Sequence, residues 1–173
     1  MKLKELIESR YSVRAYHSLQ VEKEKVDYIL ECARLAPSAC NLQPWKFYVL
    51  TSKVIIERMQ ASYDRQWFKT APMYIIVCKD SDIAWKRSKF DNKDFGDVDA
   101  AISAEHICLA ASEVGLGTCW VCNFDPQILK DALDLSDNVE PIAIFPLGYI
   151  DIDKSSLPEE KNRKPLSEIT EWI

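Results

Sequence analysis

A chain of 173 residues with 47% hydrophobic content is long enough for one domain with a substantial core and too apolar for disorder. Its net charge of −5 provides no general basic face for nucleic acid, so an anionic ligand must be held by a local cluster of cations. No apolar run approaches the roughly 18 residues of a membrane span, and MKLKELIESR lacks the apolar core of a signal peptide. The expected location is the cytoplasm.

The amphipathic start predicts a short helix near residues 2–9. Val26, Ile29, Leu30, Ala33 and Ala36 recur at three- and four-residue spacing, which predicts a helix over about 22–36 that Pro37 must end. WKFYVL is aromatic and β-branched and predicts a buried strand over 45–51, followed by a weaker helix over 53–62. APMYIIVCKD reads as a strand bounded by Pro72 and an Asp80-Ser81-Asp82 turn. Residues 81–96 are polar and carry few structural commitments. DVDAAISAEHICLAASEVGLG is the longest helix, opened by acidic residues and stopped at Gly115; its small residues occur nearly all round, so it is buried on several sides. TCWVCNF predicts a strand, DPQILKDAL a helix with Asp125 as cap and Pro126 at its first position, and PIAIFPLGYI a core strand. The tail KNRKPLSEITEWI is basic and then amphipathic. Strands and helices mix without the alternation of a doubly wound sheet, so the fold class is α+β, a single domain over 1–173 without repeat or linker.

The four glycines, Gly96, Gly115, Gly117 and Gly148, form no phosphate-cradling loop after a strand, which excludes a Rossmann or P-loop site. The six cysteines lie mostly in apolar stretches and read as buried thiols in a reducing compartment. CWVC, Cys119 to Cys122, has the spacing of a redox dithiol or half a zinc site, but no second pair or nearby histidine completes a metal set; no metal is expected. His17 and His106 read as structural.

In ESRYSVRAYHS, Arg10, Ser12 and Arg14 alternate, so an extended segment projects two guanidiniums and a hydroxyl to one side. Arginine suits phosphate through its planar fork of donors. Lys161, Arg163 and Lys164 form a second basic cluster that can fold back to the same anion. Either cluster alone reads equally well as solvated loop charge. The segment from Pro37 to Pro44 adds small and amide side chains without charge. A ligand with one phosphate and a large, flat, hydrogen-bonding ring uses all three elements.

RYSVRAY, APSACNLQPWKFYVL, AASEVGLGTCWVCNFDP, and PLGYI followed by KNRKPLSEI occur in an order that resembles the FMN-dependent nitroreductase family over nearly the whole chain. The resemblance implies an α+β fold with a central, mostly antiparallel sheet flanked by helices, in an intertwined homodimer with two FMN sites at the subunit interface. It implies that Arg10, Ser12 and Arg14 take the ribityl phosphate and nearby polar edge, with Lys161 and Arg163 closing the phosphate site and Tyr11 contributing backbone. Pro37, Ser38, Ala39, Cys40 and Asn41 would come from the other subunit against the isoalloxazine, Asn41 with its side chain and Gln43 as a brace. Gln66 would reach the pyrimidine edge. Cys122 and Asn123 would lie at the ring, the Asn123 backbone N–H meeting flavin N5, and Arg14 would tune N1 and O2.

The implied activity is NAD(P)H-dependent reduction of nitroaromatic, quinone or similar small acceptors by a ping-pong mechanism. No catalytic side chain is required, because the cofactor carries the redox chemistry. The other reading is a flavin-binding protein without turnover, a flavin store or redox-sensing module. Expected partners are a second copy of the chain and a small-molecule acceptor, with neither nucleic acid nor membrane. The chain departs from the family pattern at Ala39 and Cys40, where many relatives carry a second serine, at Cys122 and Asn123, and in the short stretch between Asp80 and Asp97, where larger members insert a helical cover.

Overall fold

The computed structural model describes residues 2–155 and 161–173. The run MYIIVCKD forms β2 (Met73–Asp80), buried along its whole length, because it sits in the middle of a sheet with apolar layers on both faces. β1 (Trp45–Leu50) pairs with one side of it and β4 (Val139–Gly148) with the other, and β3 (Gly117–Thr118) completes the order β1-β2-β4-β3, every pairing antiparallel. As an edge strand β1 is mostly half-buried, with only Leu50 buried, and not the buried strand its composition predicts. The period of two in β2 separates its side chains. Met73, Ile75 and Val77 face a core shared with α2 (Lys23–Arg34) and α4 (Gly96–Glu113), whereas Tyr74, Ile76 and Cys78 face one shared with α3 (Lys53–Gln60) and α5 (Pro126–Leu133). The expected α+β class and antiparallel sheet are present.

α4 is the central helix. Ala100, Ala104, Ile107 and Ala111 are fully buried, and small side chains there let the helix lie close to the sheet and to α2. Gly115 ends it with φ +77, and Leu116 N–H reaches back to Ala111 O at 2.8 Å, the left-handed termination for which glycine is favoured. At its other end Lys79, on β2, donates to Asp97 at 2.7 Å and lies 3.4 Å from Glu140, so the first turn of α4 is fastened to the sheet. α2 stops at Arg34, earlier than Pro37 alone demands, because the residue preceding a proline is itself driven out of the helical region.

TCWVCNF departs from its predicted strand. Only Gly117 and Thr118 pair regularly with β4, and the next bridge is Val121 with Ile144, in unchanged register. That register sets Cys119 opposite Pro146, which has no N–H to donate, so the ladder opens at that pair and closes again beyond it.

Residues 81–95, which carried few commitments in the sequence, form a compact hairpin. Lys86 and Asp94 bridge, Arg87 grips Asp91 through two nitrogens, and both Arg87 and Lys93 lie over the Phe95 ring, which also meets Trp85. At the chain ends α1 (Leu3–Ser9) and α6 (Leu166–Ile169) leave Leu3, Ile7, Leu166 and Ile169 exposed, with Trp172 97% exposed. No helix among the described residues is long and apolar enough to cross a membrane.

Candidate functional site

The segment after α1 is extended as its pattern predicts: Val13 and Ala15 are buried while Ser12 and Arg14 face out. Val13 N–H donates to Thr118 O at 2.9 Å, and Ser12 bridges Thr118 in parallel. This close approach depends on Gly117, where a Cβ would fall 2.8 Å from Val13 Cγ2.

Arg10, at the head of the segment, comes together with the second basic cluster. Lys161 Nζ donates to Ile7 O at 2.6 Å. Desolvation, followed by the positive charges of Arg10 and Arg163, pushes its ammonium below the usual lysine range. Glu8 and Glu105 oppose that shift more weakly, and an arriving phosphate would meet two guanidinium forks and an ammonium, so the donor set fits a phosphate. Beside them is a cavity of about 270 Å³ lined in part by Arg10, Tyr11, Cys108, Ser112 and Gly115. The Tyr11 hydroxyl is buried with no hydrogen-bond partner among the described residues. Arg14 lies four residues along the strand from Arg10, roughly 13 Å, with its guanidinium 5.8 Å from the centre of the Trp67 ring. The second basic cluster thus joins Arg10 rather than Arg14. A larger cavity of about 520 Å³, bordered by Gln20, Thr51, Lys53 and Gln60, includes none of the predicted site residues.

Beyond the Pro146 gap, Trp120 packs its ring on Phe145 and donates from Nε1 to Cys122 Sγ at 3.0 Å. Cys119 instead packs with Val13 and Tyr16 in the other core, and burial raises its thiol pKa. Both cysteines are free, Cys119 buried and Cys122 exposed, so no disulfide joins the CWVC pair. Asn123 is exposed, and its backbone N–H meets no acceptor among the described residues. His106 is tied by Nδ1 to Cys32 O at 2.9 Å, a structural role. No set of three metal-ligating side chains occurs among the described residues.

The loop after α2 makes one tight turn over Ala39–Asn41, with Cys40, Asn41 and Gln43 at φ 51, 55 and 50. Three non-glycine residues in the left-handed region need support. Ser38 Oγ accepts from Gln43 N at 2.9 Å, and Gln43 Nε2 donates to Asn41 O at 3.1 Å, so Gln43 braces the loop as expected. Ala39 N–H donates to Asp99 Oδ1 at 2.9 Å. Asp99 was legible in the sequence only as a helix-opening acid; its lone carboxylate between Val98 and Ala100 was the available signal. Gln66 is exposed beside Trp67.

The two halves of the site are set apart along α4. The loop is fastened to Asp99 in the first turn, while Arg10 lines the cavity that starts at Cys108 and runs on to Ser112 and Gly115, nine residues or more, roughly 13 Å or beyond, along the axis. The sequence pattern of the Nitroreductase family matches residues 7–67 and 60–149. This chain belongs to the nitroreductase family. A nitroreductase family protein of Clostridium difficile 630 has the same fold at a TM-score of 0.90 and 39% identity, over 99% of this chain and 98% of that one. A protein of Methanothermobacter thermautotrophicus, provisionally named an NADH dehydrogenase/NAD(P)H nitroreductase, is 32% identical over 86% of this chain and 78% of its own length. An FMN-dependent nitroreductase of Clostridium difficile R20291 matches at a TM-score of 0.72 and 30% identity, over 89% of this chain and 91% of that one.

Proposed function

We propose that this nitroreductase-family chain is an NAD(P)H-dependent FMN oxidoreductase acting as a homodimer on nitroaromatic, quinone or similar small acceptors. The observation that carries this reading is the fold-back of Lys161 onto Ile7 O, which brings it and Arg163 toward Arg10 in an otherwise acidic chain. A terminal phosphate is the group such a trio holds, and the chain has no glycine-rich loop for the pyrophosphate of a dinucleotide. Bound there, FMN supplies hydride and electron transfer, with reductant and acceptor using the same space in turn in a ping-pong sequence.

The chain's own residues bind and orient. Ser12 adds a hydroxyl beside the phosphate cations. Arg14, steadied on Trp67, brings positive charge toward the N1 and O2 edge, and the unmet Asn123 N–H, next to Cys122, offers a donor to N5. Pro37, Ser38, Ala39, Cys40 and Asn41 would lie against the ring of the opposite subunit's cofactor, set apart along α4 from the cations of their own chain. Exposed Leu3, Ile7, Val98, Leu166, Ile169 and Trp172 supply the apolar surface of a permanent interface. Six free thiols suit the reducing cytoplasm.

The purified protein is expected to be yellow, to release FMN on heating, to sediment as a dimer at micromolar concentration, and to oxidise NADH or NADPH when menadione is present. Recovery of stoichiometric FAD, a colourless protein indifferent to added FMN, or a flavin-bearing monomer refutes the site as drawn. Retained FMN without acceptor-dependent turnover identifies a flavin store or sensor instead.

A further inference from the structure

On the basis of the FMN reading above, we infer that Asp99 is a positioning residue: its carboxylate fixes the loop of residues 37–41, and through it that loop's grip on the isoalloxazine. Asp99 is 3% exposed, and its Oδ2 has no partner among the described residues. A buried carboxylate oxygen without a donor is a cost to the fold. α4 does not need this side chain for its own stability, since exposed Asp97 already places an acid in the same first turn and alanine is the better helix former. What Asp99 does contribute is Oδ1, the acceptor for Ala39 N–H.

That bond is the single recorded hydrogen bond between residues 37–43 and the rest of the fold among the described residues. The bonds from Ser38 to Gln43 and from Gln43 to Asn41 close the loop on itself but do not orient it against anything. Cys40, Asn41 and Gln43 hold left-handed backbone without glycine, so the loop has cheaper conformations to relax into once released. A continuous path runs from the sheet to the loop: Lys79 on β2 fastens Asp97, the turn bearing Asp97 carries Asp99, and Asp99 holds Ala39. The loop is thereby referenced to the most rigid part of the molecule.

The test uses the full-length protein with FMN as ligand, comparing wild type with Asp99→Ala and Asp99→Asn. The readouts are flavin-fluorescence titration, visible circular dichroism of the bound flavin, and thermal unfolding without flavin. Asp99→Ala is expected to bind FMN about tenfold or more weakly, the worth of one hydrogen bond to a charged group, and to alter the visible dichroism. Asp99→Asn keeps an oxygen facing Ala39 and should stay within about threefold of wild type, a smaller change than loss of that bond produces. Should Asp99→Ala fail to fold, Ala39→Pro removes the N–H at the cost of an added ring; Ser38 at φ −143 and ψ 160 already has the extended backbone that a following proline requires, and at least the same weakening is expected. Wild-type affinity in Asp99→Ala or Ala39→Pro overturns the assignment, as does an Asp99→Asn protein that folds normally yet binds no better than Asp99→Ala. If wild type itself ignores FMN, the proposed function fails, a result distinct from any difference among the variants.

Discussion

Alanine at Gly117 should damage both stability and cofactor affinity, and the size of each effect can be worked out. The added Cβ would stand 2.8 Å from Val13 Cγ2 and 2.9 Å from Ile150 Cγ1, roughly 0.6 Å short of ordinary carbon contact. Neither neighbour can swing away cheaply. Both are β-branched and stiff at χ1, Val13 is 1% exposed, and its N–H is held by Thr118 O. Overpacking of this kind costs about 1–3 kcal/mol, which in a domain of this size lowers the melting temperature by about 2–4 °C for each kcal/mol.

The strand bearing Arg10, Ser12 and Arg14 must shift to relieve the clash, so FMN affinity should fall about tenfold, as for one misplaced charged hydrogen bond. Gly115→Ala is the control for stability alone, since Gly115 lines the same cavity as Arg10. It places alanine at φ +77 with no atom within 4 Å of the new Cβ, a backbone penalty of about 1–2 kcal/mol that leaves Val13 alone. Urea unfolding of both variants and FMN titration of Gly117→Ala measure the effects. A Gly117→Ala protein with unaltered stability or unaltered FMN affinity would refute the role given to the close approach of the N-terminal segment.

Replacing Arg10 or Arg163 by alanine should weaken FMN by about 1.5–3 kcal/mol, read by titration at fixed salt. Removing Arg10 also takes away one of the charges that depress Lys161, so the Lys161 ammonium should titrate at higher pH, as NMR of the lysine side chain would register; unchanged affinity in both variants moves the phosphate elsewhere. Replacing Cys119 and Cys122 together by serine should leave nicotinamide-dependent flavin reduction within about tenfold, since a contact outside the chemistry is worth about 1 kcal/mol. A larger loss with FMN still bound, or a disulfide between them during turnover, would make the thiols participants.

Periodicity revealed the elements of this fold because burial leaves a strong mark: the uninterrupted MYIIVCKD read as a strand, though its central place came only with the structure, and the all-round small residues of DVDAAISAEHICLAA read as a packed helix. It failed at TCWVCNF, where the composition favours a strand but the partner's Pro146 withholds a hydrogen bond, a fact of pairing that the segment's own residues do not carry. The hairpin of residues 81–95 was obscured because its order comes from Arg87 and Lys93 over Phe95 rather than from an apolar face. At the site, the alternation of Arg10, Ser12 and Arg14 was legible locally, and their distance from Lys161 in sequence hid which of the arginines the second cluster joins. Asp99 was hidden more deeply. An acid near a helix start has an ordinary explanation, and only the three-dimensional approach of Ala39 gives it another.

The placing of the loop and the phosphate cations at different points along α4 has a genetic consequence. If each pocket draws Arg10 from one chain and Asn41 from the other, a subunit with Arg10→Ala and a subunit with Asn41→Ala are each defective as homodimers. Mixed together, they assemble one pocket carrying both lesions and one carrying neither. Two inactive alleles expressed in one cell would then complement each other, with the hybrid dimer regaining about half the sites of the wild type.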